Sequence, residues 1–344
     1  MEAVLFGKKL SVLGLFLCWL PTQAMAQTVE VSIDDNAISS VDLSGASSNL
    51  EATIGDDLNL VDQVEFLNAM ADAALLASKG MGVDYASNPG LFVVGGSFGS
   101  AVDSAGFAFG RKGKELPDSG FSLQASAMAG INLGLGSTEG LLNRSRLYAN
   151  WMTFETQGES FGTSVSNHGV HLQVQLIKNR QLVAAEWGGL AFTTGYELAR
   201  YTLSLNSVLP IEAADQDLTL EWDATGTYQV SSTVRTIPFE LSTNLRLLAF
   251  TVFGGVGLDL VNEGVSISEA SLGGDVFASG GGLSERLSVG SATVSMTEQG
   301  AVSTPSTRIF AGAQMDVMMV KIYGHANIGF NDNFGGHVGL RVAI

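Results

Sequence analysis

The chain carries a single cysteine in 344 residues, and Cys18 stands within its first two dozen. Beyond that point disulfides, thiolate nucleophiles and cysteine-ligated metals are excluded. Proline is scarce, at six residues, and 17 basic side chains face 34 acidic ones for a formal net charge of −17. So acidic a chain lacks the positive field on which nucleic-acid binding depends, and no nucleic-acid partner is expected. After Leu20 there is also no apolar stretch of the ~20 residues that a membrane-crossing helix needs. The composition is nonetheless 46% hydrophobic, with a mean hydropathy of +0.26.

Alternation reconciles these facts. Apolar residues recur at every second position among Ser, Thr, Asn, Gln and Gly, the pattern of strands with one dry and one wet face. Residues 121–135 alternate without a break, which is long beside the five or six residues usual in a soluble sheet. A soluble β-sandwich or β-solenoid shares the alternation, but the last ten residues favour a membrane barrel. There Val338, Leu340, Val342 and Ile344 fall on one face and His337, Gly339, Arg341 and Ala343 on the other, as a strand between hydrocarbon and lumen requires. Gly339-x-x-Val342-x-Ile344 resembles the C-terminal signal of bacterial outer-membrane proteins, with Ile in place of the usual final Phe. That resemblance implies the bacterial outer membrane as location. It also implies the outer-membrane assembly machinery, membrane lipids and lipopolysaccharide as partners.

The other end agrees. Lys8-Lys9, an apolar run over residues 10–20 and the small-x-small Ala24-Met25-Ala26 predict a secretory signal peptide over residues 1–26. Leu17, which precedes Cys18, is not the small residue a lipoprotein signal wants. Residues 27–88 form an N-terminal extension, with a short strand around Val29, Val31 and Ile33 and one convincing helix over residues 58–78. Leu60, Val64, Leu67, Ala71 and Leu75 share a face of that helix. This face needs a partner, so the helix plugs a lumen, caps the periplasmic mouth or lies on the membrane surface. Residues 89–344 then read as all-β, a transmembrane antiparallel barrel of about 14 strands with about 12 as the alternative. The clearest split sets Leu220, Trp222, Ala224 and Tyr228 toward lipid and Glu221, Asp223 and Thr225 toward water.

Catalytic chemistry is hard to find. None of His168, His171, His325 and His337 begins a His-x-Ser pair, the arrangement by which outer-membrane phospholipases set a base beside a nucleophile. No metal-ligand spacing, phosphate loop or nucleophile elbow occurs either, so neither an enzyme nor a cofactor is expected. Ala74-Leu75-Leu76-Ala77, then Tyr85-Ala86-Ser87-Asn88-Pro89-Gly90-Leu91 and an alternating strand, resemble the N-terminal plug and first strand of the long-chain fatty acid transporter (FadL-type) family. Gly90 stands where that family has Ala. The resemblance implies passive transport of small hydrophobic compounds such as fatty acids past a helical hatch. Phe66, Leu67, Met70 and Leu75 are then the ligand or hatch residues, with Asn88 and Pro89 as hinge. A general diffusion porin would instead line an open lumen with charge, for which Glu221, Asp223, Glu240, Arg246, Lys321 and Arg341 are the candidates. A structural or surface-adhesion barrel would do neither and would act through its loops.

Overall fold

Period-two stretches become strands along most of the chain. The computed structural model describes residues 26–33, 43–57, 64–86, 91–103, 119–134, 140–215 and 217–343. Its strands are β1 (Ala26–Ile33), β2 (Phe92–Asp103), β3 (Gly120–Asn132), β4 (Ser145–Gln157), β5 (Phe161–Ile177), β6 (Arg180–Gln181), β7 (Glu186–Asp215), β8 (Leu218–Leu247), β9 (Phe250–Gly280), β10 (Leu287–Ala301), β11 (Ser306–Val317), β12 (Val320–Gly329) and β13 (Asn333–Ala343). Two helices, α1 (Ser44–Asp57) and α2 (Val64–Ala77), precede β2.

All strands pair antiparallel in one 13-stranded sheet, but ten of them close the barrel rather than the 14 or 12 expected, because β7, β8 and β9 each run on past the ring as one long strand. From β2 the pairing passes through β3, β4, β5, β7, β8, β9, β11, β12 and β13 and returns to β2, which closes a ring. An even ring with no free edge is the barrel solution to a membrane, where unpaired backbone is costly. Its outer surface is apolar: Leu241 on β8, Val256 on β9, Ile322 on β12 and Val338 on β13 all stand exposed. Among the described residues no helix is long and apolar enough to cross a membrane.

Three strands outrun the ring. β7, β8 and β9 have 30, 30 and 31 residues, whereas about 9–11 suffice to cross a bilayer. Alternation alone does not show where so long a strand leaves the ring. Beyond the rim, β8 and β9 continue beside the end of β7, and β10 and β1 add two more strands. The result is an open five-stranded sheet standing on one end of the barrel.

Polarity inverts where β8 leaves the ring. Outward residues within the ring are Ile237, Phe239, Leu241, Leu245 and Leu247; past Arg235 the same face carries Thr233, Ser231, Gln229, Thr227, Asp223 and Glu221. The inward face changes in the opposite sense, from buried Glu240 and Ser242 to buried Leu220, Trp222 and Ala224. A bulge at Asn262, where Arg235 pairs with Glu263 and Thr236 with Val261, moves the even-numbered positions of β9 from the outer face to the inner, so its apolar alternation continues while its faces exchange. Leu220, Trp222 and Ala224 therefore do not face lipid, as their alternation suggests. They lie beneath α1, packed with Leu43, Ala46, Leu50 and Ile54. Alternation reports one dry face without saying what makes it dry.

Helix α1 is absent from the sequence expectation because its face is thin: Leu43, Ala46, Leu50 and Ile54 recur at three and four among Ser, Asn, Glu and Thr. Burial of Leu50 and Ile54 against the sheet contributes roughly 1.5–3 kcal/mol each. Helix α2 contacts β2, β3, β9 and β13 of the ring and β10 of the extension, and β7 and β8 to a lesser extent. The ring strands among these lie on two opposite sides of the barrel. Residues 69–86, the end of α2 and the segment after it, are all buried.

Leu50→Ala should lower the stability of the extension by roughly 2–5 kcal/mol. With Trp151 and Trp187 replaced by Phe, Trp222 emission should shift to the red at lower urea, while heat-modifiable gel mobility of the ring stays intact. An unchanged urea midpoint would show that α1 does not hold this sheet.

Candidate functional site

The interior of the ring is built around residues 78–86. Helix α2 stops where Ser78 donates its hydroxyl to the Leu75 carbonyl at 2.9 Å and Lys79 N–H reaches the Leu76 carbonyl at 3.2 Å. Gly80 follows at φ 82°, the left-handed conformation that ends helices and favours glycine. Any side chain there would also meet His325, whose Nδ1 is 2.8 Å from an added Cβ, and His337 at 3.3 Å.

From Gly80 the chain runs in no regular structure, and buried backbone needs partners. The wall provides them as side chains. Asn327 donates to the Lys79 carbonyl at 3.2 Å, Arg341 to Val83 at 3.3 Å, Gln173 to Asp84 at 3.4 Å and Asn244 to Tyr85 at 2.8 Å.

Charge pins the same segment. Lys79, fully buried, pairs with Glu197 of β7 and, at 3.1 Å, with Asp259 of β9, and donates to Thr236 at 2.6 Å. Arg308 of β11 pairs with Glu240 and lies 3.6 Å from Asp259. Tyr85 donates its hydroxyl to Glu240 at 2.7 Å, and its ring sits 4.9 Å from Phe310 and 5.5 Å from His325. Asp84 pairs with Arg341 at 3.1 Å, whose guanidinium lies 4.0 Å above the Tyr323 ring. Near the upper end Asp72 accepts from Ser303 N–H at 2.9 Å. Burial nevertheless holds its carboxyl above the usual carboxylate range.

The expected site residues separate into four places. Phe66, Leu67 and Met70 pack with Val165, Tyr201 and Val230, and Leu75 packs with Val234 and Val302. Glu240 and Arg341 are in the lumen, each engaged with the central segment through Tyr85 and Asp84. Arg246 pairs with Glu186 at 3.6 Å and Lys321 with Asp316 at 3.2 Å, nearer the end of the ring where β8 turns into β9. Glu221 and Asp223 are not lumenal. Both sit on the extension and pair with Arg286 at 2.8 Å, because polarity inverts above Arg235. Asn88 and Pro89 lie outside the described residues.

Sequence reasoning passed over Lys79, Glu197, Asp259 and Arg308. A signal was present for Lys79 and Asp259, each a charge in an otherwise small or apolar stretch. What the arrangement does chemically is to hold. Ser166 and His168 are 3.0 Å apart on the outer face of β5, yet among the described residues no carboxylate orients that ring as a catalytic triad would. Among the described residues no cluster of His, Cys, Asp and Glu fits a metal.

A family model described as Lsa36-like matches residues 24–344. No curated protein matches the chain. Solved structures similar to it include a TodX monoaromatic hydrocarbon channel (deltaS2 mutant), at 9% identity over 81% of this chain and 97% of that one, with a TM-score of 0.25. The CymD monoaromatic hydrocarbon channel is similar at 7% identity, over 80% and 98% of the two chains, with a TM-score of 0.24. A Pseudomonas aeruginosa FadL homologue is similar at 9% identity, over 80% and 97%, with a TM-score of 0.23. The chain thus weakly resembles FadL-type proteins, at a level that carries no argument about substrate.

Lys79→Met should destabilise the barrel by about 3–5 kcal/mol, since Glu197 and Asp259 would stay buried without their cation. The temperature of the heat-modifiable gel shift is the measure. Lys79→Arg should recover part of the loss, and equal behaviour of wild type and Lys79→Met would contradict the pairing.

Proposed function

The chain belongs to the Lsa36-like family, and for it we propose an outer-membrane channel for small hydrophobic compounds such as fatty acids, kept shut by its own N-terminal segment. The carrying observation is the unbroken burial of residues 69–86 inside the ring, fastened through Lys79, Asp84 and Tyr85. In this reading α2 and the segment after it are the hatch. The apolar contacts of Phe66, Leu67, Met70 and Leu75 with the wall supply the surface along which a hydrophobic compound binds once the hatch shifts.

Residues 1–26 are removed as a signal peptide, and the barrel is inserted by the outer-membrane assembly machinery among lipids and lipopolysaccharide. The tight turns at Leu248 and Met318 face the periplasm, and the five-stranded extension stands outside the cell. A general diffusion porin fits less well, because Glu240 and Arg341 are turned to the hatch rather than to a water path. The protruding extension favours a surface interaction as a second activity on the same barrel.

In planar bilayers the intact protein should show no open-pore conductance, and deletion of residues 27–86 should open one. Fatty-acid uptake by expressing cells should fall with Phe66→Ala. It should stop when cysteines placed at Leu75 and Val234 are bridged by a short bis-maleimide. Porin-like conductance of the intact protein, or uptake unaffected by the bridge, would overturn the hatch.

A further inference from the structure

The two ends of the ring use one turn geometry with opposite chemistry. At the extension end, β12 turns into β13 through Asp332 at φ 58°, a conformation in which Asp and Asn are the usual non-glycine residues. At the other end, β8–β9 and β11–β12 turn through Leu248 at φ 54° and Met318 at φ 57°. Both are about 95% exposed. Leu and Met gain nothing from the left-handed conformation, so the reason for them must lie outside the chain.

The remaining connections repeat the contrast. Extension-end turns carry Glu159, Ser160, Asp217 and Asn331, with Phe330 as their exposed apolar exception, whereas the opposite end exposes Leu141, Leu142, Leu182, Val183 and Met319. The apolar outer surface also runs into this end without a polar collar. Outward positions are Phe250, Val252, Gly254, Val256, Leu258 and Leu260 on β9. On β12 they are Val320, Ile322, Gly324, Ala326 and Ile328. Each run is about the length that crosses a bilayer, so its lower edge coincides with the turns themselves.

Charge at this end is also unlike the rest of an acidic protein. Glu186 and Asp316 are taken up by Arg246 and Lys321, while Arg144, Lys178 and Arg180 stand on the same rim, the last two exposed.

We infer that this rim is a docking face for anionic phospholipid headgroups, with the turn tips at Val183, Leu248 and Met318 immersed in the interface and Arg144, Lys178 and Arg180 against lipid phosphates. The inference rests on the membrane-spanning reading of the ring. Continuity with its lipid surface and the sign of the charge identify the occupant.

The test uses the protein from residue 27, which has no cysteine, refolded into phosphatidylcholine vesicles with or without phosphatidylglycerol. An environment-sensitive dye on Leu248→Cys or Met318→Cys should be quenched by headgroup-level spin-labelled lipid. It should be several-fold less open to iodide than the same dye on Glu159→Cys at the opposite end. Phosphatidylglycerol should deepen that protection, and joint replacement of Arg144, Lys178 and Arg180 by Gln should remove the increment. Leu248→Asn with Met318→Asn, which suits the turns, should slow insertion into the anionic vesicles several-fold. Iodide access at residues 248 and 318 equal to that at residue 159 would overturn the inference. A dye on Leu258→Cys that is also open to iodide would overturn the membrane-spanning reading itself.

Discussion

Once β13 pairs with β2 the barrel has no edge, and whatever peptide lies inside must find every hydrogen bond on the wall. The rest of the structure follows from that closure. Residues 79–85 run without helix or strand, so Asn327, Arg341, Gln173 and Asn244 are placed to receive their carbonyls. Lys79 cannot be buried alone, so Glu197 and Asp259 face it from two strands. Even Gly80 is set by closure, since both its conformation and the nearness of His325 and His337 exclude a side chain.

Closure also divides β8. Within the ring its wet face looks inward and its dry face outward; past Arg235 the two exchange roles, and α1 covers the apolar inner face. The bulge at Asn262 keeps β9 in step with this exchange. One uninterrupted strand thus belongs to two different environments. A helix with little apolar surface of its own seals the second core.

Much of this was legible in the sequence. Strand content, the outward face of β13 with Val338 and Leu340, and the lumenal positions of Glu240 and Arg341 all follow from period two. The apolar face of α2 follows from Leu67, Ala71 and Leu75. The misreading of Leu220, Trp222 and Ala224 has a physical cause: lipid and a covering helix leave the same alternation on a strand. The exchange of polar and apolar faces between Gln229 and Phe239 was the discriminating sign. Lys79 escaped for a different reason. A lysine after an apolar helix also reads as a favourable C-terminal charge, and only the ring brings Glu197 and Asp259, far along the chain, to meet it.

The direction of the thread has a mechanical meaning. β1 and α1 are built into the extension at one end of the barrel, and β2 begins at the other, so the central segment is a bolt fixed at both ends rather than a cork on a single hinge. Neither mouth can release the bolt while both anchors hold. Its travel is confined to sliding, turning or bowing inside the lumen, and tension applied to the extension is transmitted along the backbone to Lys79.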